Sequence, residues 1–227
     1  MDLSLVDLSP VPEGGTAADA FENTVQAAKQ AEALGYTRFW AAEHHGMADR
    51  LAGTTPEVLL GALSAETDTI RLGSGAVLLN HYSPFKVAEV FGTLDGLAPG
   101  RIDAGLGRAN GSPATDHALG TERHVENPDE NHAEKIEAVC AHLAGDFPSN
   151  HPYSDLSVPR SGGAPPAPWV LARVPRVRNS PPRSGCDTVL RRSSGRSSPS
   201  MRSKPITTIF NRRHSPVAWT NHRGWWP

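Results

Sequence analysis

The most constraining feature of this chain is a regular exchange, over residues 1–171, of short apolar runs with segments of helical period. The apolar runs are LSLVDLS (3–9), RFWAA (38–42), IRLGSGAVLL (70–79), RIDAGLG (101–107) and the start of APWVLA (167–172). The third run is almost continuously apolar, as expected of a parallel strand covered on both faces. The intervening segments, 16–36, 54–67, 83–100 and 127–145, carry helix punctuation. Thr16 is a cap and Gly35 a stop, Thr55-Pro56 and Ser83-Pro84 are starts, and Gly145 closes the last segment. Strands and helices alternating through short turns imply parallel βαβ units. Four or five such units suit either a doubly wound sheet or a TIM barrel, and their order alone does not choose.

This regularity stops abruptly at about residue 172. Residues 1–171 carry 10 Lys and Arg against 23 Asp and Glu, a net charge of -13. Residues 172–227 carry 12 against one acid, Asp187, a net of +11, so the overall charge of -2 hides the swing. The second segment is dominated by Arg, Ser and Pro. It has no apolar period of 2 or 3.6, and its composition is that of a disordered tail. The break falls inside a strand, whereas domain boundaries fall in linkers. The chain is therefore read as a domain over 1–171 and a tail over 172–227 that is out of frame, or fused from elsewhere. A basic nucleic-acid-binding tail ranks well behind that reading.

The N-terminus lacks a basic segment followed by an apolar one, so no signal peptide is read. No stretch approaches the ~20 apolar residues of a membrane span. Cys140 and Cys186 have neither CxxC nor metal spacing. The expectation is a cytoplasmic protein with no membrane partner and no metal.

In parallel α/β folds, sites form at the C-terminal ends of strands. Three ends stand out. Glu43-His44-His45-Gly46 follows the second strand, and a histidine there can donate or accept a proton near neutral pH. Only one of two adjacent histidines can face a ligand, so the other packs or turns outward. EHH fits no zinc pattern. In the third strand, Gly73 and Gly75 allow close approach of a flat ligand or of another backbone. Asn80 and His81 follow at its end. Arg108, after the fourth strand, suits a phosphate or carboxylate. GLGRANG mimics a dinucleotide fingerprint, but SPATDHALG is a poor helix start for a pyrophosphate. Taken singly, each of these is equally a turn, a packing glycine or a solvated loop.

Together, YTRFWAAEHHG (36–46), IRLGSGAVLL (70–79) and HYSPFKVAEVFGTLDGLAPGRIDAGLGRA (81–109) resemble the bacterial luciferase-like flavin-dependent monooxygenases over roughly residues 1–171. The resemblance implies a TIM (β/α)8 barrel that binds reduced FMN at its C-terminal mouth. A separate flavin reductase supplies the FMN, and O2 and a small organic substrate react there. F420 ranks behind FMN. By position, His44 matches the catalytic histidine, with Glu43 or His45 holding its loop. Gly75-Ala76 match the site of a non-prolyl cis peptide beneath the flavin. Arg108 matches an arginine near the flavin phosphate or ribityl chain, and Asn80 and His81 lie near the ring edge.

Eight strands and about 250 residues make a TIM barrel. This chain supplies four strands and the start of a fifth, so a truncated barrel with two unpaired edges is expected. A noncatalytic half-barrel that assembles as a homo-oligomer through those edges is the alternative to an enzyme.

Overall fold

A computed structural model describes residues 3–109, 111–120, 128–173, 188–192 and 208–211. The strands are β1 (Leu3–Asp7), β2 (Arg38–Ala41), β3 (Arg71–Ser74), β4 (Val77–Leu78), β5 (Ile102–Gly107), β6 (Ala167–Arg173), β7 (Thr188–Arg192) and β8 (Thr208–Asn211). The helices are α1 (Ala17–Ala33), α2 (Pro56–Glu66), α3 (Pro84–Leu97), α4 (Pro113–Ala118) and α5 (Pro128–Ala144). The sheet order is β7-β6-β5-β3-β2-β1-β8, and β4 pairs with the second half of β5. From β1 through β6 every pairing is parallel.

Helix punctuation acts largely as the sequence suggests. At α1 the Thr16 N–H donates to Asp19 Oδ2 (2.7 Å), and the Asp19 N–H donates to Thr16 Oγ1 (3.4 Å). This reciprocal box closes the first turn. The helix then lays Ala20, Thr24, Ala27, Ala28 and Ala31 on the sheet, one small-residue face at helical spacing. It ends where Gly35 takes φ +76°, a left-handed value that favours glycine. The Glu32 side chain then reaches across to the next unit, accepting the backbone N–H groups of Asp68, Thr69 and Ile70 just before β3.

Alternation of side chains divides each strand between two cores. Phe39, Leu72, Ile102, Ala104 and Leu106 face the helices, where they meet Leu60, Leu63, Val87, Phe91 and Val139. Burying each large side chain in this layer contributes about 1.5–3 kcal/mol. The other face is the inner wall of the curved sheet. Its aromatic content is Trp40 and Trp169, edge to face at 5.4 Å, with Val6, Ala167 and Leu171 around them. Beneath the tryptophans, at the strands' N-terminal end, buried Asp103 accepts from Arg38 Nε (2.9 Å) and from Arg71 Nη2 (2.6 Å). The Arg38 guanidinium also lies 4.9 Å from the Trp169 ring. One carboxylate thus ties β2, β3 and β5 together at the bottom of the wall.

The structure differs from the sequence expectation in three places. The run 70–79 is two strands, interrupted where the Gly75–Ala76 peptide bond is cis. SPATDHALG does form a helix, α4, with Ser112 Oγ accepting the Thr115 N–H. Its Ser-Pro start is the same signal that opens α3. Both sheet edges are also paired: β8 lies parallel to β1, and β7 antiparallel to β6. An open edge presents a row of unmet N–H and C=O groups, and here segments of the basic tail satisfy them. Ala172 and Arg173 end β6, and the rest of that tail, including Cys186 and the terminal tryptophans, lies outside the described residues. Among the described residues, no helix is long and apolar enough to cross a membrane.

Candidate active site

The C-terminal ends of β2, β4 and β5 meet at one mouth, and a single buried carboxylate joins the first two. Glu43 Oε1 accepts from His45 Nε2 (2.6 Å) and from the Tyr82 hydroxyl (2.8 Å); its Oε2 accepts the Leu78 N–H (2.9 Å). The Glu43 side chain is 0% exposed. A buried carboxylate must have its lone pairs met, and here donors from two loops meet them. Burial, reinforced by Glu43, pushes the Tyr82 phenol well above its ordinary range, so it remains a donor.

This arrangement separates the roles of the paired histidines. His45 is turned inward onto Glu43 and sits edge to face with His81, 5.8 Å between ring centres. His44 is held by its backbone, whose N–H donates to the Gly53 carbonyl (2.8 Å). Its ring Nδ1 is buried with no hydrogen-bond partner. Burial holds the His44 imidazole below its ordinary pKa, and the nearby Glu43 charge only partly opposes this. His44 is therefore neutral at pH 7, with a ring nitrogen available for a proton. His81 is shifted the same way, again mainly by burial.

Asn80 links this cluster to the end of β5. Its Nδ2 donates to the Ala109 carbonyl (3.1 Å), next to exposed Arg108, while its Oδ1 is buried without a partner. The glycine after the histidines, Gly46, has φ +70°, and a Cβ there would press on Thr115 at 2.7 Å. The histidine loop therefore rests on α4. His44, the Gly75–Ala76 bond, Asn80 with His81, and Arg108 each follow the C-terminal end of one of the neighbouring strands β2, β3, β4 and β5.

The glycines of β3 and β5 act mainly in packing. A Cβ on Gly73 would collide with the Trp40 ring, and one on Gly105 with the Ser74 carbonyl. The space over Gly73 thus belongs to Trp40 rather than to a ligand. Around the Gly75–Ala76 bond the packing is equally tight: a Cβ on Gly75 would sit 3.0 Å from Trp40 Cβ, and one on Gly107 3.1 Å from Ala76 Cβ and 3.3 Å from Leu171 Cβ. Sequence reasoning missed Tyr82, Glu57 and the Trp40–Trp169 pair. Tyr82 follows the flagged Asn80-His81 directly, and Glu57 follows the helix-opening Pro56. No spacing rule singles out either one. Glu57 Oε2 is buried without a partner, and burial raises its carboxyl above the usual range.

The family model for luciferase-like monooxygenases matches residues 1–179. The chain belongs to the luciferase-like monooxygenase family. It is 49% identical over 155 residues to the N-acetyl-S-alkylcysteine monooxygenase of Bacillus subtilis, a match covering 68% of this chain and 46% of that protein. Among solved structures, apo-MsnO8 is 43% identical at a TM-score of 0.67, covering 76% of this chain and 50% of that one. The oxygenating constituent of 3,6-diketocamphane monooxygenase from Pseudomonas putida, solved with FMN, is 23% identical at a TM-score of 0.59 and covers 75% of this chain and 51% of that one. That likeness is one of fold alone. The chain thus spans about half the length of the relatives it matches. Its parallel sheet is the corresponding part of a TIM-barrel fold.

The residues at the mouth fit a flavin or a deazaflavin. Two buried polar atoms without partners, His44 Nδ1 and Asn80 Oδ1, suit the hydrogen-bonding edge of a planar heterocycle.

Proposed function

We propose that this chain serves flavin-dependent monooxygenation, holding reduced FMN at the C-terminal mouth beside His44. The observation that carries the reading is the pair of unpartnered buried atoms, His44 Nδ1 and Asn80 Oδ1, at the strand ends of a luciferase-like monooxygenase. Reduced FMN bound there and renewed by a separate reductase would supply the two electrons by which one atom of O2 enters a small organic substrate and the other leaves as water. Neutral His44 donates or accepts a proton at Nδ1 as oxygen reacts. Glu43 and Tyr82 fix the loops on either side, and His45 is locked away from the ligand. Asn80 Oδ1 would accept from the ring edge, and Arg108 would hold the phosphate or ribityl chain. FMN is favoured over F420 because monooxygenation needs a flavin that reacts with O2, and a deazaflavin does so poorly.

A fluorescence titration with FMN tests this reading. The expected result is saturable 1:1 quenching weaker than micromolar, because the residues in hand cover only one side of the ligand. Asn80→Ala and His44→Ala each weaken it further. No quenching up to ~1 mM FMN, or quenching unchanged in both variants, overturns the reading.

A further inference from the structure

We infer that the cavity between the start of α3, the α5 helix and the turns at 148–156 binds a small aromatic carboxylate. It lies in the helical layer, and the inference does not rest on the flavin reading.

The cavity measures about 360 Å³, room for a molecule of one or two rings. Its apolar lining is Pro84 and Phe85 from α3, Ala138 from α5, and Tyr153 and Leu156 from the segment after α5. Three successive turns fix that segment. The N–H groups of His151, Ser154 and Leu156 donate to the carbonyls of Pro148, His151 and Tyr153, at 2.8, 3.0 and 3.1 Å. Tyr153 and Leu156 are nonetheless 48% and 44% exposed. His142 joins the two sides, its ring centre 5.0 Å from that of Phe85 and 5.6 Å from that of Tyr153. A ring laid in the cavity would cover these apolar surfaces and add edge and face contacts with the aromatic side chains.

Three polar features set the rest of the ligand. His142 is 4% exposed and borders the cavity, and its Nδ1 has no hydrogen-bond partner. Buried polar atoms are nearly always satisfied, so this one calls for a group that the described residues do not supply. Burial, with a smaller contribution from His151, holds its imidazole below the ordinary pKa, so it meets a ligand as a neutral ring. Lys135 Nζ reaches the Leu79 and Tyr82 carbonyls only at 3.4 and 3.5 Å, long bonds that leave its ammonium with donor capacity to spare. The residue after Tyr82 is Ser83, the N-cap of α3, and its side chain makes no capping bond. The positive end of this 14-residue helix is therefore left open beside Lys135. Ammonium and helix end together suit a carboxylate. Glu134 also borders the cavity, but it is exposed and screened by water, and it stands against two positive features.

The test uses the full chain with indole-3-acetate as the probe, and tryptamine, the same ring carrying a cation, as its control. Titration calorimetry reads affinity, and 15N NMR of histidine-labelled protein reads the site. The expected result is saturable binding of indole-3-acetate with a Kd below ~1 mM, shifting the His142 ring nitrogens and leaving those of His44 in place. Tryptamine binds at least about tenfold more weakly. Lys135→Met weakens indole-3-acetate at least about tenfold by removing the cation. Ala138→Met, which fills the cavity and leaves the charges alone, also weakens it. Circular dichroism shows that each variant is folded. No saturation up to ~5 mM, tryptamine bound as well as indole-3-acetate, or binding that moves His44 rather than His142 overturns the proposal. An affinity unchanged in either folded variant overturns it as well. No flavin is present, so failure here is distinct from failure to bind FMN.

Discussion

Replacing Glu43 is the most informative perturbation of the mouth. Its carboxylate accepts three donors, from His45, Tyr82 and Leu78, in a fully buried position. Glu43→Ala leaves all three without acceptors. Each orphaned buried donor costs about 1–3 kcal/mol, and with partial access of water to His45 and Tyr82 the sum is roughly 3–6 kcal/mol. That is a large share of the ~5–15 kcal/mol that holds a domain folded, so this variant can fail to fold. Glu43→Gln is the finer probe. It keeps the shape, but its amide NH2 cannot accept, so one of the three donors faces another donor at a cost of about 1–3 kcal/mol. Tyr82→Phe removes one donor and leaves the carboxylate two, costing about 1 kcal/mol. Urea unfolding followed by circular dichroism measures each variant. The double variant should cost less than the sum of the singles by at least ~0.5 kcal/mol, because both act on one hydrogen bond. A Glu43→Gln cost below ~0.3 kcal/mol, with strict additivity, refutes the claim that this carboxylate joins the two loops.

Gly105→Ala places a methyl against the Ser74 carbonyl between two buried strands, and should cost at least ~3 kcal/mol or abolish soluble expression. Gly96→Ala, in α3 with open space around it, should gain a few tenths to ~1 kcal/mol in thermal stability. His44, His81 and His142 all have imidazoles lowered chiefly by burial. The unfolded chain therefore binds more protons than the folded one, and stability falls as pH drops through about 6.5 toward the lowered folded values. Melting temperature should decline from pH 7.5 to 5.5, with a shallower slope in His142→Phe. Glu57 works in the opposite sense, its carboxyl raised mainly by burial. Glu57→Gln should stabilise the chain at pH 7, and the gain should vanish below about pH 4.3, where the acid is protonated in both states.

The order of elements through Trp169, apart from α4 and the split of the run 70–79, was legible because the long helices carry local punctuation and the strands are compact apolar runs. Thr16, Gly35, Pro84 and Gly145 mark ends by chemistry that does not depend on the rest of the fold. The break at Gly75–Ala76 is invisible to hydropathy, since both halves of the run are apolar, and only the family resemblance pointed to it. Of the site, the strand-end positions of His44, Asn80, His81 and Arg108 could be read from the rule that parallel sheets build sites there. Which histidine packs onto the carboxylate could not, because that choice is made by Tyr82 and Leu78, 35 or more residues away, through Glu43. The roles of Gly73 and Gly105 were equally hidden. A glycine that admits a ligand and one that admits an indole or a neighbouring backbone look alike in sequence. The short ladders at 188–192 and 208–211 went unread because Arg, Ser and Pro dominate around them, and their pairing is imposed by open edges elsewhere.

The central claim is that reduced FMN meets His44 at the mouth. The direct measurement is a titration of histidine-labelled protein with reduced FMN under anaerobic conditions, followed by 15N NMR of the imidazoles and assigned with His44→Gln and His142→Phe. His142 serves as the internal control, packed among Phe85, Phe147 and Tyr153 on the helical side of the sheet. If FMN sits beside His44, the His44 ring nitrogens shift saturably while those of His142 stay in place. A titration that leaves His44 unmoved, or moves His142 instead, contradicts it.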